Sequence, residues 1–154
     1  MSAAKLRPAV LADLPVMVRH RLRMLEDMGL GSPDDLVPIG PNFAIWATAQ
    51  IAAGTLWTWF IEVDGVVAAR ASVWRKPRLP TAQAADASVA FVFNVYCERH
   101  HRRHGYARRL MDHIVAWAPS AGFDVVELHA SDEGRPLYAS MGFAATNEMR
   151  LHVS

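Results

Sequence analysis

From Val89 to Cys97 the chain is almost continuously apolar or aromatic. It then breaks into Arg102-Arg103-His104-Gly105-Tyr106-Ala107, and apolar residues at helical spacing follow at once: Ala107, Leu110, Met111, Ile114 and Trp117. The first run suits a central strand buried on both faces. The stripe predicts an amphipathic helix ended by Pro119 and Gly122. Strand, basic glycine turn and helix in that order make a seat for an anion. The N–H groups of a first helical turn lack internal partners, the helix dipole favours negative charge there, and a glycine lets a ligand approach the backbone.

The flanking segments set the fold class. Lys5 to Ala9 reads as a short first strand, and Leu14, Val18, Leu22 and Leu25 as the apolar stripe of a first helix closed by Gly29. Gly29 to Pro41, rich in Gly, Pro and Asp, reads as a loop, followed by a helix over about 43 to 54. Asp64-Gly65 joins two β-rich runs, Trp57 to Val63 and Val66 to Trp74, as a hairpin. Arg75 to Ala87 reads as a surface loop, Phe123 to Ala130 as a strand, about 134 to 141 as a short helix, and Phe143 to Val153 as a last strand. The expected architecture is a single α/β (α+β) domain over residues 1–154. Its mixed sheet is mostly antiparallel, with helices on both faces and one parallel β-helix-β unit at the basic turn.

With 154 residues, about half of them apolar, the chain can bury a substantial core. A formal charge of +1 gives no general pull toward nucleic acid or membrane, so any electrostatic binding must be local. The single cysteine, Cys97, excludes an internal disulfide and reads as a small buried hydrophobe in a reducing compartment. With no signal-like apolar core near residue 1, the expected location is cytoplasmic. Residues 43–61 carry no charge and are long enough to cross a bilayer. Their alanines, threonines, Gln50 and Gly54 instead favour a buried helix running into a strand.

The turn matches neither of the common phosphate-loop patterns, G-x-x-x-x-G-K-[ST] or G-x-G-x-x-G; it reads R-x-x-G-x-A. Taken alone, the hexapeptide describes a solvated basic loop as well as an anion seat. His100, His101 and His104 have no carboxylate or cysteine at ligand spacing, so no metal site is expected, and one short cluster is thin support for nucleic-acid binding. A second motif narrows the choice. Glu133-Gly134-Arg135-Pro136-Leu137-Tyr138-Ala139-Ser140-Met141-Gly142-Phe143 sets a tyrosine four residues before a helix-ending Gly-Phe, some thirty residues beyond the turn. Together with Phe93-Asn94-Val95-Tyr96, Val126 to Ser131, and Leu6 to Ala9 with Asp13-Leu14, the chain resembles the GNAT superfamily of N-acetyltransferases. The likeness runs along its whole length and is strongest from about 89 to 144.

That resemblance implies acetyl-CoA as co-substrate, no metal, and transfer to a small-molecule or peptide amine in a ternary complex. A non-catalytic acyl-CoA-binding module is the alternative. It implies that the backbone amides of Arg103, His104, Gly105, Tyr106 and Ala107 take the pyrophosphate, with Arg102 in the first motif position offering its guanidinium to phosphate oxygens. Val95 and Cys97 would bind the pantetheine arm through their backbones. Tyr138 would protonate the departing thiolate. Ser131 stands where many members carry an asparagine that contacts the cofactor arm, and Arg99 and His101 replace a proline and an aromatic residue. Neither nucleic acid nor membrane is an expected partner, and a homodimer is left open.

On the acceptor side, Glu26, Glu62, Glu98 and His129 are candidate bases. Glu127 and His129 share a strand face by their two-residue spacing. Arg21 falls among the apolar positions of the first helix, where it either meets a substrate carboxylate, pairs internally or snorkels to solvent. Few residues follow Gly142, so the acceptor cleft is open, or closed by a partner subunit or by residues 29–41. Trp46, Trp57, Trp59 and Trp74 lie in the acceptor half, at least two of them as core.

Overall fold

A computed structural model describes residues 3–82 and 88–154. Five strands form one sheet in the order β1 (Lys5–Pro8), β2 (Leu56–Val63), β3 (Val66–Pro77), β4 (Ser88–Cys97) and β5 (Val126–Leu128). The first three pairings are antiparallel and the β4–β5 pairing is parallel. The parallel step is reached through α4 (Tyr106–Trp117), the crossover helix expected after the basic turn.

Helices cover both faces. Leu110, Met111 and Ile114 of α4 pack with Ile61, Ala71, Val73, Ala90 and Val92 on one side. On the other, α1 (Leu14–Asp27) and α3 (Ile39–Ala52) bring Met17, Phe43 and Ala47 against Leu56 and Phe60. Of the four tryptophans in the first half of the chain, Trp57 and Trp59 stack edge-on against the fifth, Trp117 of α4. Trp46 and Trp74 meet edge-on at 5.6 Å on the opposite face.

Four expectations need correction. The segment Gly29 to Pro41 holds a one-turn helix, α2 (Pro33–Leu36), and the start of α3. Ser32 accepts from the Asp35 N–H and the Asp35 carboxylate accepts from Ser32 N–H, a capping box with proline at the first helical position. Phe143 to Val153 forms no strand among the described residues: Glu148 reaches His129 just beyond β5 by its side chain, but no backbone ladder joins them, and Met149, Leu151 and Val153 are exposed. The strand expected from Phe123 to Ala130 pairs only over Val126–Leu128, and β3 extends through Arg75–Pro77, which had read as loop. The rest of that expected loop, residues 83–87, lies outside the described residues. Residues 43–61 divide at Gly54 into α3 and β2, and among the described residues no helix is long and apolar enough to cross a membrane.

His20 of α1 is fully buried, with its Nε2 at 3.2 Å from Glu98 and its Nδ1 unpartnered. Burial and the nearby Arg70 charge push its pKa down to about 4. The unfolded chain takes up this proton near the ordinary value of about 6.5 and the folded chain does not, so stability is full above that pH and is lost as pH falls toward 4. Between pH 7 and 5.5, above most carboxylate titration, the expected loss is about 1 kcal/mol. Urea unfolding at the two pH values reads it. A His20→Leu variant that lost as much as the parent would refute the assignment.

Candidate active site

The basic turn opens α4 as expected, one residue earlier than the apolar stripe indicates. Gly105 is the N-cap at φ +74°, and Arg103 also takes a left-handed conformation at φ +65°. The first helical bond runs from Arg109 N–H to Gly105 O at 3.0 Å. The N–H groups of Arg103, His104, Gly105, Tyr106 and Ala107 therefore have no acceptor among the described residues. Five unpaired amides at a helix start form a cradle for an anion. The imidazole of His104 is turned inward, its Nδ1 at 2.9 Å from the carbonyls of His101 and Arg102, and stacks on Tyr106.

Arg102 is held by the protein through two of its three nitrogens. Its Nε donates to the Cys97 carbonyl and its Nη2 to Asp27, both at 2.9 Å. Arg99 donates to the other oxygen of Asp27 at 2.7 Å. The two arginines thus tie the turn to the end of α1, and Arg102 Nη1 has no partner among the described residues.

The strand leading into the turn is interrupted at Asn94, which adopts φ +51°. Here three steps of β4, Phe93 to Tyr96, span two of β3, Ser72 to Arg70, so the strand bulges. Asparagine tolerates the left-handed region better than most residues, and its position inside an apolar run is the signal that sequence reading passed over. Pairing with β5 stops at Val92, just before the bulge. Beyond it, Glu98 N–H donates to Ala68 O at 2.8 Å on the β3 side. Alternation then turns the backbone groups of Val95 and Cys97 toward the side no strand covers. The Cys97 carbonyl is taken by Arg102, which leaves its N–H. Burial raises the Cys97 thiol pKa, so the thiolate is disfavoured as a nucleophile.

Tyr138 lies on α5 (Arg135–Ser140), half-buried against the α4-side core and edge-on to Phe143 at 5.9 Å. Its phenol makes no hydrogen bond to a described residue, and burial raises its pKa, so the hydroxyl is a protonated, uncommitted donor. A Cβ on Gly134 would stand 2.9 Å from its ring, which explains the glycine one turn earlier. Ser131 accepts from Gly134 N–H at 3.1 Å, while its carbonyl accepts from Arg135 N–H. Serine in place of asparagine therefore caps the loop that carries Tyr138.

On the α1–α3 side, a cavity of about 340 Å³ is walled by Phe43, Trp46, Trp74, Phe91 and Phe93, with Arg21 and Asn42 as its polar members. It abuts β4 where the pairing with β5 ends. None of the four candidate bases lines it. Glu62 is bound to Arg7, Glu98 to Arg23 and His20, and His129 to Glu148 at 3.5 Å; Glu26 is exposed. Glu127 and His129 do share a face, on which Lys76 pairs with Glu127 and His129 sits edge-on to Phe91. Among the described residues no three His, Cys, Asp or Glu side chains converge as a metal site.

Comparison with known proteins adds family evidence to this geometry. The family model described as acetyltransferase (GNAT) family matches residues 26–143. No curated protein sequence matches. Among solved structures, a GCN5-related N-acetyltransferase from Ralstonia eutropha JMP134 is 27% identical, with 98% of this chain and 99% of that one covered at a TM-score of 0.89. An acetyltransferase from Clostridium acetobutylicum, solved with acetyl-CoA, is 26% identical, with 98% and 97% covered at 0.90. A ribosomal-protein-alanine N-acetyltransferase from Brucella melitensis, 18% identical with 97% and 98% covered at 0.71, shares the fold.

Proposed function

The chain belongs to the GNAT acetyltransferase family, and from that premise we propose that it transfers an acetyl group from acetyl-CoA to a primary amine by direct attack in a ternary complex. The observation that carries this reading is the set of five unpaired amides from Arg103 to Ala107, set at the end of a strand whose outer edge opens after Val92. The amides suit a pyrophosphate, and the outward backbone groups of Val95 and the Cys97 N–H suit the amide-bearing arm of pantetheine. The solved Clostridium relative binds acetyl-CoA, which supports the same ligand here.

Transfer needs an unprotonated amine to attack the thioester carbonyl. The nitrogen of the tetrahedral adduct gives up its extra proton to water, the adduct collapses, the C–S bond breaks, and the thiolate takes a proton. Tyr138 is the group we assign to supply it, from a phenol that burial keeps protonated. The fold contributes proximity by holding both substrates at the β4 bulge. A protonated, unengaged Tyr138 also favours a working transferase over a passive acyl-CoA-binding module.

Acetyl-CoA is expected to raise the melting temperature, and free thiol is expected to appear when an amine is added. Thermal shift followed by a thiol-release assay over an amine panel reads both. No shift at millimolar acetyl-CoA would overturn the proposal, and a shift without thiol release on any amine would leave the binding module.

A further inference from the structure

The aromatic cavity carries a charge imbalance that the protein does not settle. Arg21 enters it from the middle of α1, half-buried, with one hydrogen bond, from Nη1 to the neutral Asn94 Oδ1 at 2.9 Å. Its guanidinium lies 5.6 Å from the centre of the Phe43 ring. Against the same ring, at 5.8 Å, lies Arg70, which is fully buried. Arg70 donates to the Met17 carbonyl and the Ser72 hydroxyl, and its Nη2 has no partner among the described residues. Neither arginine has a carboxylate partner among the described residues. Burial, together with the Arg21 charge, lowers the Arg70 pKa to about 9. Two cations held together in a low-dielectric setting without an anion are costly, and an incoming negative charge relieves both.

We propose that the acceptor is an amine carrying a carboxylate on an apolar or aromatic body, and that Arg21 receives the carboxylate while Trp46 and Phe93 receive the body. This inference rests on the acetyltransferase reading for its chemistry, though not for its binding. The free Nε and Nη2 of Arg21 form the planar fork that suits a carboxylate. The Asn42 amide supplies a second polar contact, and the remaining wall is apolar. Placing the anionic end at Arg21, beside Asn94, sets the molecule against the bulge where the thioester is assigned. The same field disfavours polyamines and other polycations.

The test pairs acceptors that differ by the carboxylate alone: phenylalanine with phenethylamine, tryptophan with tryptamine, leucine with isoamylamine, and spermidine as a polycation. Calorimetry without acetyl-CoA reads binding, and thiol release with acetyl-CoA reads turnover. At least one amino acid is expected to exceed its decarboxylated partner by about tenfold or more in affinity and in kcat/KM, as a charge-assisted bond implies. In Arg21→Met that ratio should fall toward one, and in Arg21→Lys part of it should return, with the acetyl-CoA thermal shift showing that both variants are folded. Equal or better binding of the decarboxylated members or of spermidine, no binding of any carboxylate, or an unchanged ratio in Arg21→Met would overturn the proposal. Arg21-dependent binding of an amino acid by a protein that gives no acetyl-CoA shift would keep this assignment and sink the transferase reading.

Discussion

Tyr138→Phe is expected to lower kcat by about a hundredfold to a thousandfold while acetyl-CoA affinity stays within about threefold, the range set by loss of a positioned general acid. The substitution removes one oxygen and keeps the ring. The edge-on contact with Phe143 and the packing against Gly134 therefore survive, and stability should hold. What is lost is a phenol that burial keeps protonated and that no described residue engages. A leaving thiolate then has to draw its proton from water. Steady-state kinetics and calorimetry on the same preparation separate the outcomes. If affinity and melting temperature fell together with kcat, the tyrosine would be a packing residue, and the acid role would be withdrawn.

Gly105→Val carries the second large effect, this time on binding. The N-cap sits at φ +74°, a conformation that costs an L-residue roughly 1 to 2 kcal/mol and a β-branched one more. A Cβ at Gly105 meets no protein atom within 4 Å, so the space it would enter is open to a ligand. Acetyl-CoA affinity is expected to drop at least about tenfold, since a phosphate held by backbone amides needs that close approach. Gly65→Val is the matched control: it has the same φ of +74° and the same open surroundings, at a hairpin far along the chain. Equal affinity loss in both variants would mean that backbone strain, and not the anion seat, was measured.

What could be read from the sequence was what local chemistry dictates. Asp64-Gly65 announces a hairpin, and the apolar run of β4 followed by the α4 stripe announces the parallel crossover, because each is settled within a few residues. The seat amides follow from Gly105 in the same way. The one-turn α2 was missed although its signal was present: Ser32-Pro33-Asp34-Asp35 is a capping box, hidden among the glycines and prolines that argue for a loop. Pro41 was taken as a boundary, but it falls in the first turn of α3, where a missing N–H costs nothing. The expected last strand failed for another reason. Alternation from Phe143 to Val153 is local, but a ladder needs backbone pairing in register, and the segment meets His129 beyond β5 only through the Glu148 side chain. Nor could any spacing rule aim Arg102 at Asp27, 75 positions away. The pairing of Arg21 with Asn94 was equally out of reach, since it depends on a bulge that appears only once β3 and β4 are in register.

The clamp of Arg99 and Arg102 on Asp27 gives α1 two masters. Its last turn anchors the loop assigned to the nucleotide end of one substrate, and Arg21, nearly two turns earlier, faces the cavity assigned to the other. A substitution that slides or rotates this helix is felt at both ends, so its register is constrained twice. By contrast, α3 contributes Asn42, Phe43 and Trp46 to the cavity and, among the described residues, makes no hydrogen bond or ion pair to the basic turn. Substitutions on α3 are therefore expected to alter acceptor choice at less cost to acetyl-CoA binding than substitutions on α1.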